Sequence, residues 1–454
     1  MDGVKQIFER GPGPAPVELL RSLAGLRENP LRFLDQAMSR YGGLVHYRLG
    51  PLNAFLLSRP EDIQQVLLDN QRNYTKDTFQ YNALAEVTGR GLLTNDGEDW
   101  LRQRRRIQPA FHRQKIAAFG DLMVDAAARA AGTWQGAIDV DREMMKLALE
   151  ILGKALLGAD LGREAPALTW AVLTALDHVV GKLRSPGLLP DWVPTRSHRR
   201  FREALGRLDR AVAEIVRAHR QVNGPSGDLL DALLGMGGGE TPMSERQVRD
   251  ELVTFLIAGH ETVASALTWT FYLLAQNPEA AERLDEELRR VLDGRNPGVE
   301  DLPALDYTRR VFDEALRLYP PAWLVTRRSL REDVIGGARV PPGSLVIASI
   351  WSAQRSAEIW PDPLRFDPDR FLPAAVASRP KFSYLPFGGG PRLCIGNTFA
   401  LTEGPLVLAT IAQRCRLELA PGQEVIIDPL VTLRPRGGLR MSALGKEIRF
   451  SAAA

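Results

Sequence analysis

The chain has 454 residues, of which 44% are apolar and 25% charged. That balance is ordinary for a globular protein and excludes a disordered tail, a collagen-like chain and a disulfide scaffold. Against 55 acidic side chains stand 58 basic ones, and a net charge of +3 does not argue for nucleic acid. The two cysteines, Cys394 and Cys415, fit a reducing compartment and offer no disulfide framework. Length alone gives a prior of about three domains.

Met1-Asp2-Gly3-Val4-Lys5-Gln6 carries no basic-then-apolar signal pattern. Residues 11–16 (GPGPAP) belong to an extended N-terminal arm over 1–29. A short helix is predicted over about Pro30 to Tyr41. Leu44 to Leu49 and Ala54 to Ser58 flank Gly50-Pro51-Leu52-Asn53 and read as a hairpin, after which Pro60 suits the first turn of a helix. From Trp100 to about Arg220 the pattern is mainly helical, with breaks at Ser185-Pro186-Gly187, Pro190 and Pro194. Residues 235–242 (GMGGGETP) read as a flexible connection. Ser244 and Gln247 then form a capping box that opens a helix running to Gln276, about 33 residues or roughly 50 Å.

Leu252 to Ala275 within that helix is long enough to cross a bilayer. Gly259, His260 and Glu261 sit near its middle, where a charge costs several kcal/mol. The reading is therefore a core-crossing helix of a cytoplasmic protein without a membrane anchor. After Tyr319, Pro and Gly pairs punctuate short apolar runs such as Leu345 to Ile350, which read as strands and turns. With no internal repeat and no separating linker, the whole chain 1–454 reads as one α+β domain, mainly helical with a minor β region.

Four segments carry chemistry. In Phe387-Gly388-Gly389-Gly390-Pro391-Arg392-Leu393-Cys394-Ile395-Gly396, three glycines let the backbone approach something flat. Cys394 stands where the next helix starts, a position that favours a thiolate, and Arg392 adds positive charge nearby. Cys415, in the run LATIAQRCRLEL, reads as a helical core thiol. Glu314 and Arg317, three apart, share a helix face flanked by Val311, Phe312, Leu316 and Leu318. Trp100 and Arg104 also share a face, within a cluster whose four arginines 102, 104, 105 and 106 cannot all turn inward. Ala258-Gly259-His260-Glu261-Thr262 lies midway along the long helix. There Gly259 leaves room, Thr262 can bond a carbonyl of its own helix, and an acid beside an alcohol can relay protons. No two of the six histidines are three or four apart, so no helical zinc motif is present. The basic run Arg196 to Arg202 reads as a solvated face.

Phe-x-x-Gly-x-Arg-x-Cys-x-Gly resembles the haem-binding loop of the cytochromes P-450, and the other segments resemble that family's elements in the expected order across roughly residues 30 to 440. The resemblance implies a single cytochrome P-450 fold holding haem b (iron protoporphyrin IX) with Cys394 as thiolate ligand. Phe387 would belong to the ligand loop, and Trp100, Arg104, Arg327 and Arg392 would serve the haem propionates, with Arg328 adjacent enough that the Arg327 assignment could slip by one. Glu314, Arg317 and Arg370 would form a structural triad, Arg370 coming from Phe366-Asp367-Pro368-Asp369-Arg370-Phe371. Glu261 and Thr262 would be the catalytic acid and alcohol. The implied activity is monooxygenation, with electrons from a separate ferredoxin or flavodoxin and its NAD(P)H reductase, the outward arginines attracting that donor. Pocket walls would come from about 79–93, 168–192, 255–262, 323–326 and 431–433. Their apolar content points to a lipophilic substrate such as a terpenoid, fatty acid or polyketide. Two alternatives stay open: a peroxide-using haem-thiolate enzyme and a non-catalytic haem-binding sensor.

Overall fold

A computed structural model describes residues 11–446 apart from 16–17, 20–24, 27, 185–192, 194, 222–227 and 237–241. Much of the N-terminal arm, the breaks at 185–187, 190 and 194, and most of the 235–242 connection lie outside the described residues. Those that are described group into two compact units. The first comprises residues within Met1–Ala83, Arg317–Arg365 and Pro373–Cys394, and the second those within Leu84–Leu316, Phe366–Leu372 and Ile395–Ala454.

The first unit is built on a mixed five-stranded sheet. Its strands, in spatial order, are Leu44–Leu49, Leu52–Leu57, Leu345–Ser349, Leu324–Ser329 and Tyr74–Thr75. The first two pair antiparallel around a two-residue turn at Gly50-Pro51, so the second strand starts two residues earlier than the apolar run suggests. Leu52–Leu57 and Leu345–Ser349 run parallel, and the remaining pairs are antiparallel. Phe55, Leu57, Ile63, Val66, Val346, Ala348 and Leu385 form one core against this sheet. A helix over Pro30–Tyr41 precedes it. Asn29 caps that helix by accepting from the Arg32 N–H at 3.0 Å, and Pro30 supplies a φ already set for the first turn.

The second unit is helical. Its centre is the helix Glu245–Gln276, which opens on a complete Ser244/Gln247 capping box and stops at Asn277, where Pro278 begins the next helix. An 18-residue window of this helix is apolar enough for a membrane, yet 83% of it is buried inside the protein. It packs along the helix Val140–Leu156. A small sheet of Gly136–Asp139, Arg440–Gly445 and Cys415–Leu419 and a hairpin of Ile427–Pro429 with Leu433–Pro435 complete the unit.

Cys415 departs from the helical reading. The helix Asn397–Arg414 ends just before it, and Cys415 opens the strand Cys415–Leu419. The alternation of Arg416 and Glu418 outward with Leu417 inward is a period-2 pattern, and it outweighs the helical run before it.

Candidate active site

Within the first unit, the cysteine loop hangs from the core at Leu385. The Leu385 N–H donates to Gln354 Oε1 at 2.8 Å, and Gln354 Nε2 donates to the Arg317 carbonyl at 2.9 Å. Arg317 is wholly buried and answers with Nη1 bonds to the carbonyls of Gln354 and Pro363, both at 2.8 Å, and an Nη2 bond to the Arg365 carbonyl at 3.2 Å. Its guanidinium also lies 5.0 Å from the centre of the Trp360 ring. These three carbonyls satisfy donors of a buried cation that would otherwise be costly to hold away from water. Gln354, fully buried, thus links Arg317 to the root of the cysteine loop. The sequence reading missed it, because a lone glutamine after a strand carries no local signal.

The loop then turns over its glycines. Gly390 has φ +66°, and a Cβ there would lie 1.9 Å from the Leu67 carbonyl oxygen. Only glycine allows this approach. A short 3-10 turn over Gly390–Arg392 brings the Cys394 N–H to the Phe387 carbonyl at 3.0 Å, closing the loop between the two residues that bound it. Cys394 is exposed and lies three residues ahead of the helix Asn397–Arg414, outside its first turn. Cys415 is buried, and burial pushes its thiol up to about 11. Arg327 is buried and donates to the Thr326 carbonyl, whereas Arg328 is exposed and paired with Asp77 at 3.0 Å. The alternation of the strand Leu324–Ser329 therefore selects Arg327 as the inward arginine. Arg392 is half-buried.

In the second unit, Trp100 and Arg104 are half-buried on the helix Gly97–Ile107. Arg102 and Arg105 are exposed, and Arg106 is half-buried. Glu314 is wholly buried. Its Oε1 accepts from the Asp367 N–H at 2.9 Å and lies 3.4 Å from Arg370 Nε.

The long helix is buried throughout 252–274 except at Ala258, Gly259, Thr262 and Tyr272. Ala258, Gly259 and Thr262 form one small half-open patch, since positions one turn apart share a face. Thr262 Oγ1 donates to the Ala258 carbonyl at 2.7 Å, as its position suggests. Gly259 has a packing task that the sequence did not reveal: a Cβ there would lie 2.7 Å from Leu152 Cδ1 of the neighbouring helix. Its missing side chain permits a close helix crossing rather than simply leaving space for a ligand.

Glu261 is 1% exposed, and neither carboxylate oxygen has a hydrogen-bond partner among the described residues. Burial pushes it up to about 7. Arg434 and then Thr432 pull it down, while Asp141 and Asp177 push it up. Thr432 is close enough to act on Glu261 but does not close a hydrogen bond. Arg434 is itself bound by Asp141, through Nε at 3.4 Å and a shorter Nη2 contact. The strand bearing Arg434 is fixed to the long helix, because Ser265 Oγ and Trp269 Nε1 both donate to the Leu433 carbonyl, at 2.6 and 3.0 Å. His260 is fully buried, gives Nδ1 to the Leu256 carbonyl at 2.6 Å, and is pushed down by burial to about 4, so it is neutral. This makes it structural.

The donor set fits a haem-thiolate centre: one exposed thiol on a loop closed by its own backbone, a glycine at 390 whose Cβ would strike the Leu67 carbonyl, and one arginine turned inward from a strand. The cytochrome P450 family model matches residues 11–439. Cyclooctatin synthase of Streptomyces melanosporofaciens is 40% identical over 92% of this chain and 91% of its own length. Pentalenene oxygenase of Streptomyces avermitilis is 35% identical over 96% and 97%. The crystal structure of CYP175A1 from Thermus thermophillus superposes with a TM-score of 0.79 at 35% identity, covering 95% of this chain and 99% of that one. The chain belongs to the cytochrome P450 family, and it is a cytochrome P-450 monooxygenase.

Proposed function

We propose that this protein holds haem b through the Cys394 thiolate and inserts one oxygen atom from O2 into a terpenoid, using electrons from a separate ferredoxin or flavodoxin in the cytoplasm. The observation that carries the reading is the contrast between its two cysteines: Cys394 is exposed on a closed glycine loop, and Cys415 is buried in a strand. Terpenoid is favoured over the fatty acid and polyketide classes because relatives at 35–40% identity include pentalenene oxygenase and cyclooctatin synthase. The family's haem, once bound, supplies O2 binding and O–O cleavage, which a thiolate ligand favours.

The protein's own residues would do the rest. Arg327, Arg392, Trp100 and Arg104 would hold the haem propionates, and the Phe387 carbonyl, which accepts the Cys394 N–H, would help hold the ligand loop in shape. Glu314, Arg317 and Arg370 hold the surrounding backbone. Glu261, titrating near neutrality, holds a proton at a pH where it can also release it. The Thr262 hydroxyl, whose hydrogen lies on the Ala258 carbonyl, keeps its lone pairs free to take that proton at the half-open patch. A peroxide-driven enzyme has less need of such a pair.

The test is spectroscopic. Reduced, CO-bound wild-type protein should show the red-shifted Soret band of a thiolate complex, Cys415→Ser should keep it, and Cys394→Ser should lose it. The reverse pattern would refute the assignment. In turnover with a surrogate ferredoxin and reductase, Thr262→Ala should keep consuming NAD(P)H while product falls and peroxide rises. Full product formation from peroxide alone, with none from the redox chain, would refute the O2-dependent reading.

A further inference from the structure

Loop 89–95 precedes the helix that carries Trp100 and Arg104, and it lies directly on the first half of the long helix. The Arg90 N–H donates to Asp250 Oδ2 and the Leu92 N–H to Glu251 Oε2, both at 2.9 Å. The loop has no side-chain gap there. A Cβ on Gly89 would lie 2.1 Å from Asp250 Cγ, and one on Gly91 would lie 2.1 Å from Thr254 Oγ1. Thr94 Oγ1 closes the turn on the Gly89 carbonyl at 2.7 Å. Arg249 fastens the segment just before it, donating to the Val87 carbonyl at 2.9 Å.

The chain of contacts continues into the next helix. The Arg90 carbonyl accepts from Gln103 Nε2 at 3.0 Å, and Gln103 Oε1 accepts from Asn95 Nδ2 at 3.0 Å. Gln103 is buried and immediately precedes Arg104. Two consecutive acids of the long helix therefore fix a loop, and the loop fixes the helix Gly97–Ile107 by a side chain next to Arg104. Burying two adjacent carboxyls is costly, and a core that needed only packing would use apolar residues.

We propose that Asp250 and Glu251 form a carboxylate latch that positions Trp100 and Arg104 to grip the haem propionates. They are positioning residues, acting through the Arg90 and Leu92 backbone and through Gln103. The inference rests on the propionate roles given above to Trp100 and Arg104. Of the two acids, Glu251 is the cleaner probe. It is wholly buried, spends one oxygen on Leu92, and has no partner on the other among the described residues. Glutamine at this position keeps the acceptor and the shape, whereas alanine removes the latch.

The experiment uses the haem-loaded protein and two readouts that do not depend on turnover: the rate of haem transfer to excess apomyoglobin, and amide hydrogen exchange over 89–107. Glu251→Ala should expose the Leu92 amide, lower protection across 97–107, and speed haem release about 5-fold or more, as expected for loss of a buried hydrogen bond. Glu251→Gln should restore both readouts to near wild type, which a residue needed only for its charge would not do. Arg104→Ala should speed haem release while leaving the loop amides protected. If Glu251→Ala leaves haem release at the wild-type rate while Arg104→Ala speeds it, the latch does not position the propionate residues and the proposal falls. If Arg104→Ala changes nothing, the propionate reading fails instead. Exchange still decides the latch in that case, since undiminished protection of 97–107 in Glu251→Ala overturns it.

Discussion

Replacing Glu261 with glutamine should make the protein more stable, and increasingly so as pH rises. The Glu261 carboxyl has an ordinary value of 4.5 and titrates at about 7 in the folded chain, chiefly because it is buried. A raised acid means that the folded state binds the proton more tightly than the unfolded state. The stability that Glu261 contributes is therefore fully present below pH 4.5, falls as pH rises towards 7, and is lost above it. Each pH unit of separation is worth about 1.4 kcal/mol, so the charged form costs the fold about 3 kcal/mol. That is a large part of a typical net stability of about 5–15 kcal/mol. Glutamine resembles the protonated acid and carries no such loss. The Arg434 cation recovers part of the charged form's cost, but Asp141 already occupies that cation. The assay is the difference in unfolding midpoint between Glu261→Gln and wild type, by heat or urea, at intervals from pH 5 to pH 8.5. The gap should stay below about 1 kcal/mol at pH 5 and grow to a stabilisation of about 3 kcal/mol by pH 8. A gap that stays flat across this range, or that favours wild type at pH 8, would show that Glu261 is already charged when folded and would remove it as a near-neutral proton donor.

Glu314→Ala should remove the acceptor of the Asp367 N–H and the carboxylate beside Arg370, at about 3–5 kcal/mol, and the yield of haem-loaded protein should collapse; normal yield and haem content would make the pair dispensable. Gly390→Ala should bind little haem while its far-ultraviolet circular dichroism stays near native, because the new Cβ strikes the Leu67 carbonyl at one contact between two short helical turns; full haem content would show that the loop can relax. Reduction by a ferredoxin should slow as ionic strength rises, and reversing the charge of the exposed Arg102 and Arg105 should slow it further at low salt; a rate independent of salt would remove electrostatic docking.

What the sequence discloses depends on how far apart the interacting residues are. Ser244 with Gln247 and the strand Leu345–Ser349 are set by neighbours a few residues away, and both were legible. So was the glycine loop around Cys394, whose backbone demands glycine locally. Gln354 was not, because its partners Arg317 and Leu385 lie 37 and 31 residues away. Neither was the Arg434–Asp141 pair, separated by 293 residues. No local periodicity marks a polar residue whose partner is brought to it only by the fold. Gly259 shows a different limit. Its smallness was visible, but Leu152, the neighbour that requires it, was not.

The register of the sheets ties the order of synthesis to the order of assembly. Leu52–Leu57 is made early, yet its parallel partner Leu345–Ser349 leaves the ribosome nearly three hundred residues later, a delay on the order of tens of seconds. Gly136–Asp139 waits still longer for Arg440–Gly445. Through that interval each early strand presents an unpaired edge, which is a template for pairing with another nascent chain. A nonsense mutation between Leu57 and Arg440 therefore leaves at least one such edge permanently open. Leu44–Leu49 covers the other edge of Leu52–Leu57 from the start, and the four-residue length of Gly136–Asp139 keeps its own edge small.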